Sequence, residues 1–290
     1  MEYLLHIAIM LNIYVLLVLA ANLPVGLSNL LSVCQAAFYG IGAYISAWLL
    51  LQFHLPFLLV ALIVMTLTGV CSLLVSFASI KLKGDYFVLA TLAFQMIVFT
   101  VLYNWTDVTR GPYGISGIPS VRVLGIWGIS GVYGYFILST ILSAIVAFLL
   151  HHLKNSPFGR VLTAIRGDEL TVSALGRNPA RFKTYAFFIS AAFSGLAGLL
   201  YASYISYIDP TSFTIDESIF ILTALFIGGI GNVKGPIAGA AFVVLLPEAL
   251  RFVGMPDAVA ANLRQIIYGL ALVVVMFYRP QGFCGKIVLQ

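Results

Sequence analysis

Charge is what this chain has least of. Only 9% of its 290 residues are Asp, Glu, Lys or Arg, about a third of the share in soluble domains. Its mean hydropathy is +1.06, which excludes an ordinary soluble domain. Cysteine is nearly absent too. Cys34, Cys71 and Cys284 form no spaced motif, and two of them lie inside apolar runs, so neither a disulfide framework nor a cysteine metal site is indicated. Of four histidines, His6 and His54 are isolated. His151 and His152 are adjacent, so a helix would face them in different directions. There is no G-x-S-x-G elbow, H-E-x-x-H pair or C-x-x-C, and "GFCGK" lacks the first glycine and trailing Ser/Thr of a phosphate loop. Catalytic and metal chemistry are therefore not expected, and no ATP hydrolysis by this chain itself.

What the chain has is apolar length. Segments at 4–23, 28–51, 55–80, 84–104, 131–153, 184–206, 217–233, 235–250 and 259–278 are candidates to cross or enter a hydrocarbon layer of about 30 Å as helices. The expected class is an all-α polytopic membrane protein of about 8–10 transmembrane or reentrant helices, forming one transmembrane domain over 1–290. The first run begins at Leu4 without the basic flank of a cleaved signal, and reads as a retained helix.

Lys and Arg orient these segments. Lys81 and Lys83 mark one cytoplasmic turn. The 154–183 loop carries Lys154, Arg160, Arg166, Arg177, Arg181 and Lys183, and the tail carries Arg279 and Lys286. Two spans separate the first two basic sites, so both face the cytoplasm. The Gly-, Pro- and Ser-rich loop 105–130 then faces outward, flanked by Trp105, Trp127, Tyr133 and Tyr135. On the same count 207–216 and the N-terminus lie outside and Lys234 inside. The net charge of +5 marks orientation rather than nucleic-acid binding.

Two stripes of small residues, Ala186-Ser190-Ser194-Gly198-Ala202 and Ser32-Ala36-Gly40, predict close helix packing. In "LFIGGIGNVKGPIAGA" the glycines and Pro236 predict a tight hairpin with Lys234 at the cytoplasmic surface. Polar groups at membrane depth are neutral: Gln35, Gln95 and Asn12. Asp85, Asp216 and Glu217 sit at segment ends. Ion-driven carriers use ionisable groups at depth, so the energy for transport is expected from outside this chain. Gln35 and Gln95 are candidate pathway-lining residues.

The stretch "SPFGRVLTAIRGDELTVSALGRNPARFK", 156–183, holds five of the 15 basic residues. Ser156 before Pro157 predicts a helix start, Gly167 a break, and Asp168 the cap of a second short helix near 169–175. Gly176 supplies its left-handed stop, with Pro179 beyond. So short a helix is marginal alone in water, which suits a surface pressed against the membrane or a partner.

The same stretch, with "CQAAFYGIGAY", "KGDYFVLATLAF", "NWTDVTRGPYGISGIP" and "GGIGNVKGPIAGA" placed along the chain in the family's order, resembles LivM-type permeases, the branched-chain amino acid subunits of bacterial ABC importers. The similarity covers about residues 25 to 282. It implies an inner-membrane pore subunit that holds no cofactor, with ATP used by its partners. Those partners are a second, LivH-type permease, two cytoplasmic ATPases and an external solute-binding protein. On this resemblance 168–176 is the coupling helix, with Arg166, Asp168, Glu169 and Gly176 as candidate ATPase contacts. Asp107 and Arg110 are candidate contacts for the binding protein. The chain departs from the pattern in two places. The importer pattern E-A-A-x-x-x-G, anchored on Gly176, reads Leu170-Thr171-Val172, and Gln95-Met96-Ile97 replaces a common Gly-Glu-Ile. Related permeases carry urea, short amides or other amino acids, and an ion-coupled carrier is the alternative of a different class.

Overall fold

The computed structural model describes residues 2–53, 55–79, 82, 84–120, 122–123, 127–128, 131–252, 257–278 and 281–283. Lys81, Lys83, Arg279, Lys286, His54 and Cys284 lie outside them, and of Arg122 and Trp127 the backbone alone is described. The helices are α1 (Glu2–Asn22), α2 (Gln35–Phe53), α3 (Phe57–Ser79), α4 (Asp85–Asn104), α5 (Thr106–Thr109), α6 (Val132–Asn155), α7 (Pro157–Gly167), α8 (Glu169–Ala174), α9 (Pro179–Ile205), α10 (Ile215–Gly228), α11 (Lys234–Phe252) and α12 (Asp257–Tyr278). Six of them, α1, α2, α3, α4, α6 and α9, are long and apolar enough to cross a membrane. The predicted hairpin of 217–250 is present as α10 and α11, joined by a glycine-rich turn.

α9 is the central post. In its most apolar stretch 83% of residues are buried, against 22% in α4 and α6 at the periphery. The small stripe explains its position. Ala186, Ser190, Ser194 and Ala202 are fully buried, and a side chain at Gly42 of α2 would overlap the backbone of Gly195 on α9. Gly195 in turn lies against Thr68 of α3. Dispersion at such close backbone approach holds helices together in lipid, where apolar area alone gives no net drive.

The second predicted stripe is only partly helical. α1 tightens into a π-turn over Leu23–Leu27, and 29–34 then runs without helix, with Asn29 at φ 54°. α2 begins at Gln35, not near 28, so Ser32 lies off the helix. Gln35 donates to Ser190 Oγ at 3.0 Å and Ser194 Oγ at 2.7 Å, in the middle third of α9. The first turn of α2 thus starts inside the bundle.

Amide hydrogens there have no partner within their own helix and no water to turn to. Other helices supply the acceptors. Ala37 N–H donates to Gln95 Oε1 (2.7 Å), Ala36 N–H to Ser218 Oγ (2.9 Å), and Val33 N–H to Thr91 Oγ1 (3.2 Å). Gln95 also accepts from Ser218 Oγ at 3.2 Å and donates to the Phe213 carbonyl at 2.9 Å. One amide therefore ties α4 to α2, α10 and the loop before α10.

The two ends of the bundle are distinct. At one end β1 (Ile115–Ser116) pairs with β4 (Tyr207–Ile208) in antiparallel register, so the two loops predicted to face outward meet. A second hairpin joins β2 (Arg122–Val123) to β3 (Trp127–Gly128). The N-terminus shares the first end: His6 bonds to Tyr204 at 2.8 Å, and Tyr3 bonds to Glu248. Close by, the carboxyl of Glu217 accepts from Tyr14 at 2.7 Å, so it is held by α1 rather than standing free at a segment boundary. The opposite end collects the π-turn, the basic loop and the α10–α11 turn.

Gln95→Leu removes the partner of Ala37 N–H and of the Phe213 carbonyl. At about 1–3 kcal/mol for each orphaned buried group, the substitution is expected to cost at least about 2 kcal/mol. It should lower the thermal unfolding midpoint in detergent, whereas Gln95→Glu, which keeps the acceptor, should lower it less. Equal midpoints for parent and Gln95→Leu would contradict this role.

Candidate functional site

The basic stretch folds as its caps dictate. Ser156 Oγ accepts from Gly159 N–H at 3.3 Å and opens α7, with Pro157 in the first turn. α7 runs through Gly167. Asp168 then caps α8, accepting from Leu170 N–H at 2.9 Å and from the Thr171 hydroxyl at 2.5 Å. These two bonds, the hydroxyl's the larger effect, hold the Asp168 carboxyl below the usual carboxylate range. Gly176 stops the segment at φ +77°, a backbone conformation that costs a side chain about 1–2 kcal/mol. Pro179 does not merely bar continuation. Asn178 caps Ala180 N–H at 3.1 Å, and Pro179 opens α9, so Arg181 and Lys183 belong to a spanning helix rather than to the loop.

Two of the four predicted ATPase contacts turn inward. Arg166 Nη1 donates to the Gly26 carbonyl in the π-turn at 2.6 Å, and burial draws its guanidinium pKa down. Glu169 pairs at 2.6 Å with Lys183, which is buried. The apolar face of α7 follows them inward, with Leu162 and Ile165 buried, and Val172 of α8 does the same. Around Arg166, Glu169 and Lys183 lies a cavity of about 490 Å³, walled also by Asn29, Asp85 and Phe87. The loop thus rests on the bundle through a few polar links beside an open space.

The outward face of α8 is carried by residues that were not predicted as contacts. Leu170 is 73% exposed and Leu175 77% exposed, and Arg177 follows them on the surface. Leu175 is exposed in this way, whereas Val172, three residues before it, points inward. The sequence carried a signal for Leu170: it stands where the importer pattern anchored on Gly176 has its Glu.

The remaining predicted positions lie apart. Gln35 and Gln95 are both buried inside the subunit, their amides engaged in bracing α2. At the other end, Asp107 and Arg110 are exposed on the tight turn after α4. Arg110 is held at φ 59°, above a buried Thr109 hydroxyl that donates to the Leu102 and Trp105 carbonyls, each at 2.7 Å. Among the described residues no group of three or more His, Cys, Asp or Glu is gathered in a way that could hold a metal ion.

Comparison with known proteins agrees with this architecture. Residues 3–276 match the family described as branched-chain amino acid transport system / permease component. The chain is 34% identical to the high-affinity branched-chain amino acid transport system permease protein LivM of Salmonella typhimurium, and also 34% identical to that of Escherichia coli. Each match covers 95% of this chain and 68% of the relative. It is 30% identical to the probable branched-chain amino acid transport permease protein LivM of Methanocaldococcus jannaschii, over 78% of this chain and 67% of the relative. No solved structure matches significantly. With its spans, its capped inner loop and this match along nearly its whole length, the chain belongs to the permease component family of branched-chain amino acid transport systems.

Proposed function

We propose that this chain is the membrane permease subunit of an ATP-binding-cassette importer that moves branched-chain or related amino acids inward, with the energy supplied by separate ATPase subunits. The observation that carries the reading is the pair Leu170 and Leu175, displayed outward from a six-residue helix and its C-cap, which is capped at the start by Asp168 and braced from behind by Glu169–Lys183. An exposed apolar pair on a rigid, pre-formed turn is what a hydrophobic groove on a partner accepts. The helix would enter such a groove on an ATPase in the cytoplasm. A second permease of LivH type would complete the pathway, and an external binding protein would dock where Asp107 and Arg110 are exposed. The setting is the cytoplasmic membrane of a bacterium, and ATP is bound by the partners rather than by this chain.

The direct test is reconstitution in vesicles with the ATPases, the second permease and the binding protein. Leucine, isoleucine or valine uptake should require ATP and each component. Uptake by the purified chain alone, driven by an ion gradient or running downhill, would overturn the reading. The solute retained by the partner binding protein separates amino acids from urea or short amides.

Two variants test the docking face. Leu170→Asp with Leu175→Asp places charge where an apolar surface is required, and should weaken ATPase association by at least about tenfold in co-purification. Gly176→Pro forces φ to about −65° where the loop needs +77°. It should abolish stimulation of ATP hydrolysis by loaded binding protein while membrane insertion persists. Stimulation at the parental level would refute this placement of the coupling helix.

A further inference from the structure

The inward turn of Arg166 separates it from the docking face. Its guanidinium bonds the carbonyl of Gly26, in the π-turn that ends α1 and leads directly into the non-helical run before α2. The other side of that turn is also clasped. Asn22 donates to the Asn232 carbonyl at 2.8 Å and accepts from Gly231 N–H at 3.0 Å, while Asn232 Oδ1 accepts from Gly235 N–H at 2.8 Å. A side chain at Gly26 would overlap Asn22 Oδ1 and come within 2.9 Å of Gly231 N, so the three strands of chain meet with no room between them. Beside the cavity, the loop meets the bundle through Arg166, through Glu169–Lys183, through the buried faces of α7 and α8, and through Phe158 packed on Phe182 of α9.

We infer that Arg166 is a latch rather than an ATPase contact: through Gly26 and Asn22 it hands displacement of the α7–α8 loop to the π-turn, and so to α2 and to the α10–α11 hairpin together. This rests on the docking role proposed for α8. Its physical basis is that both recipients are interrupted at this end. The 29–34 run and the 229–233 turn change backbone angles at less cost than an unbroken helix, because few helical hydrogen bonds must break. A push delivered to α9 through Lys183 alone would meet the most enclosed helix of the bundle. Delivered at Gly26, it reaches segments able to move. Arg166 is therefore a positioning residue, acting through the backbone it holds.

The test reads ATP hydrolysis and uptake in the same vesicles, in the complete transporter. Arg166→Ala should keep hydrolysis within about twofold of the parent while uptake per ATP falls about tenfold, the factor that one lost charged hydrogen bond supplies. Arg166→Lys, which retains a donor, should recover part of that loss. Asn22→Ala removes the clasp on the far side of the turn and should give the same uncoupled pattern, so the test does not depend on one variant folding. Unchanged uptake per ATP in both Arg166→Ala and Asn22→Ala overturns the latch. Loss of ATPase association by Arg166→Ala, as expected for the Leu170 and Leu175 pair, makes it a docking contact and overturns the latch as well. Parental behaviour of the Leu170→Asp, Leu175→Asp variant instead removes the docking role on which the latch stands.

Discussion

A helix that begins inside a membrane bundle leaves amide hydrogens that neither lipid nor its own backbone can satisfy. Much of this structure answers that constraint. α2 starts at Gln35 against the middle of α9, and its first turn is closed by the side chains of Gln95, Ser218 and Thr91 from other elements. These donors and acceptors are neutral, buried and mutually bonded. They hold α4, α9 and α10 at fixed heights around the break, and the small residues of α9 let the backbones come near enough for such short side chains to reach.

The same break makes the inner end mechanically distinctive. An unbroken α1 and α2 would form a conventional helical hairpin with a surface turn. Here the π-turn, just before the 29–34 run, lies among polar groups from three directions: Arg166 from the loop, Asn22 from α1 itself, and the backbone of the α10–α11 turn. The basic loop thus has two faces with separate work. One offers leucines outward; the other binds backbone inward. Charge that in sequence marks only the cytoplasmic side is divided in space between orientation, bracing and surface.

The opposite end is built differently. One short strand pair joins the loop after α4 to the loop after α9, and Tyr–Glu and His–Tyr contacts tie the N-terminus to α10, α11 and α9. Glu217 is the carboxyl drawn furthest into this arrangement among those the sequence placed at segment ends. Its partner lies two hundred residues away in the chain, which is why its setting was invisible in sequence.

Membrane class and the long spans were legible in the sequence. They follow from local apolar length, which is additive along the chain. The caps at Ser156, Asp168 and Gly176 were legible too, because a cap is decided within three or four residues. The start of α2 was not. Residues 29–34 are as apolar as a helix, and only the competing bonds from α4, α9 and α10 show that the helix waits until Gln35. Nor could sequence tell which charges of the loop face in or out: Arg166 and Arg177 have the same chemistry, and their directions depend on whether a carbonyl from residue 26 stands within reach. Local chemistry determined the elements; long-range partners decided where they begin, which way their side chains turn and what each is able to move.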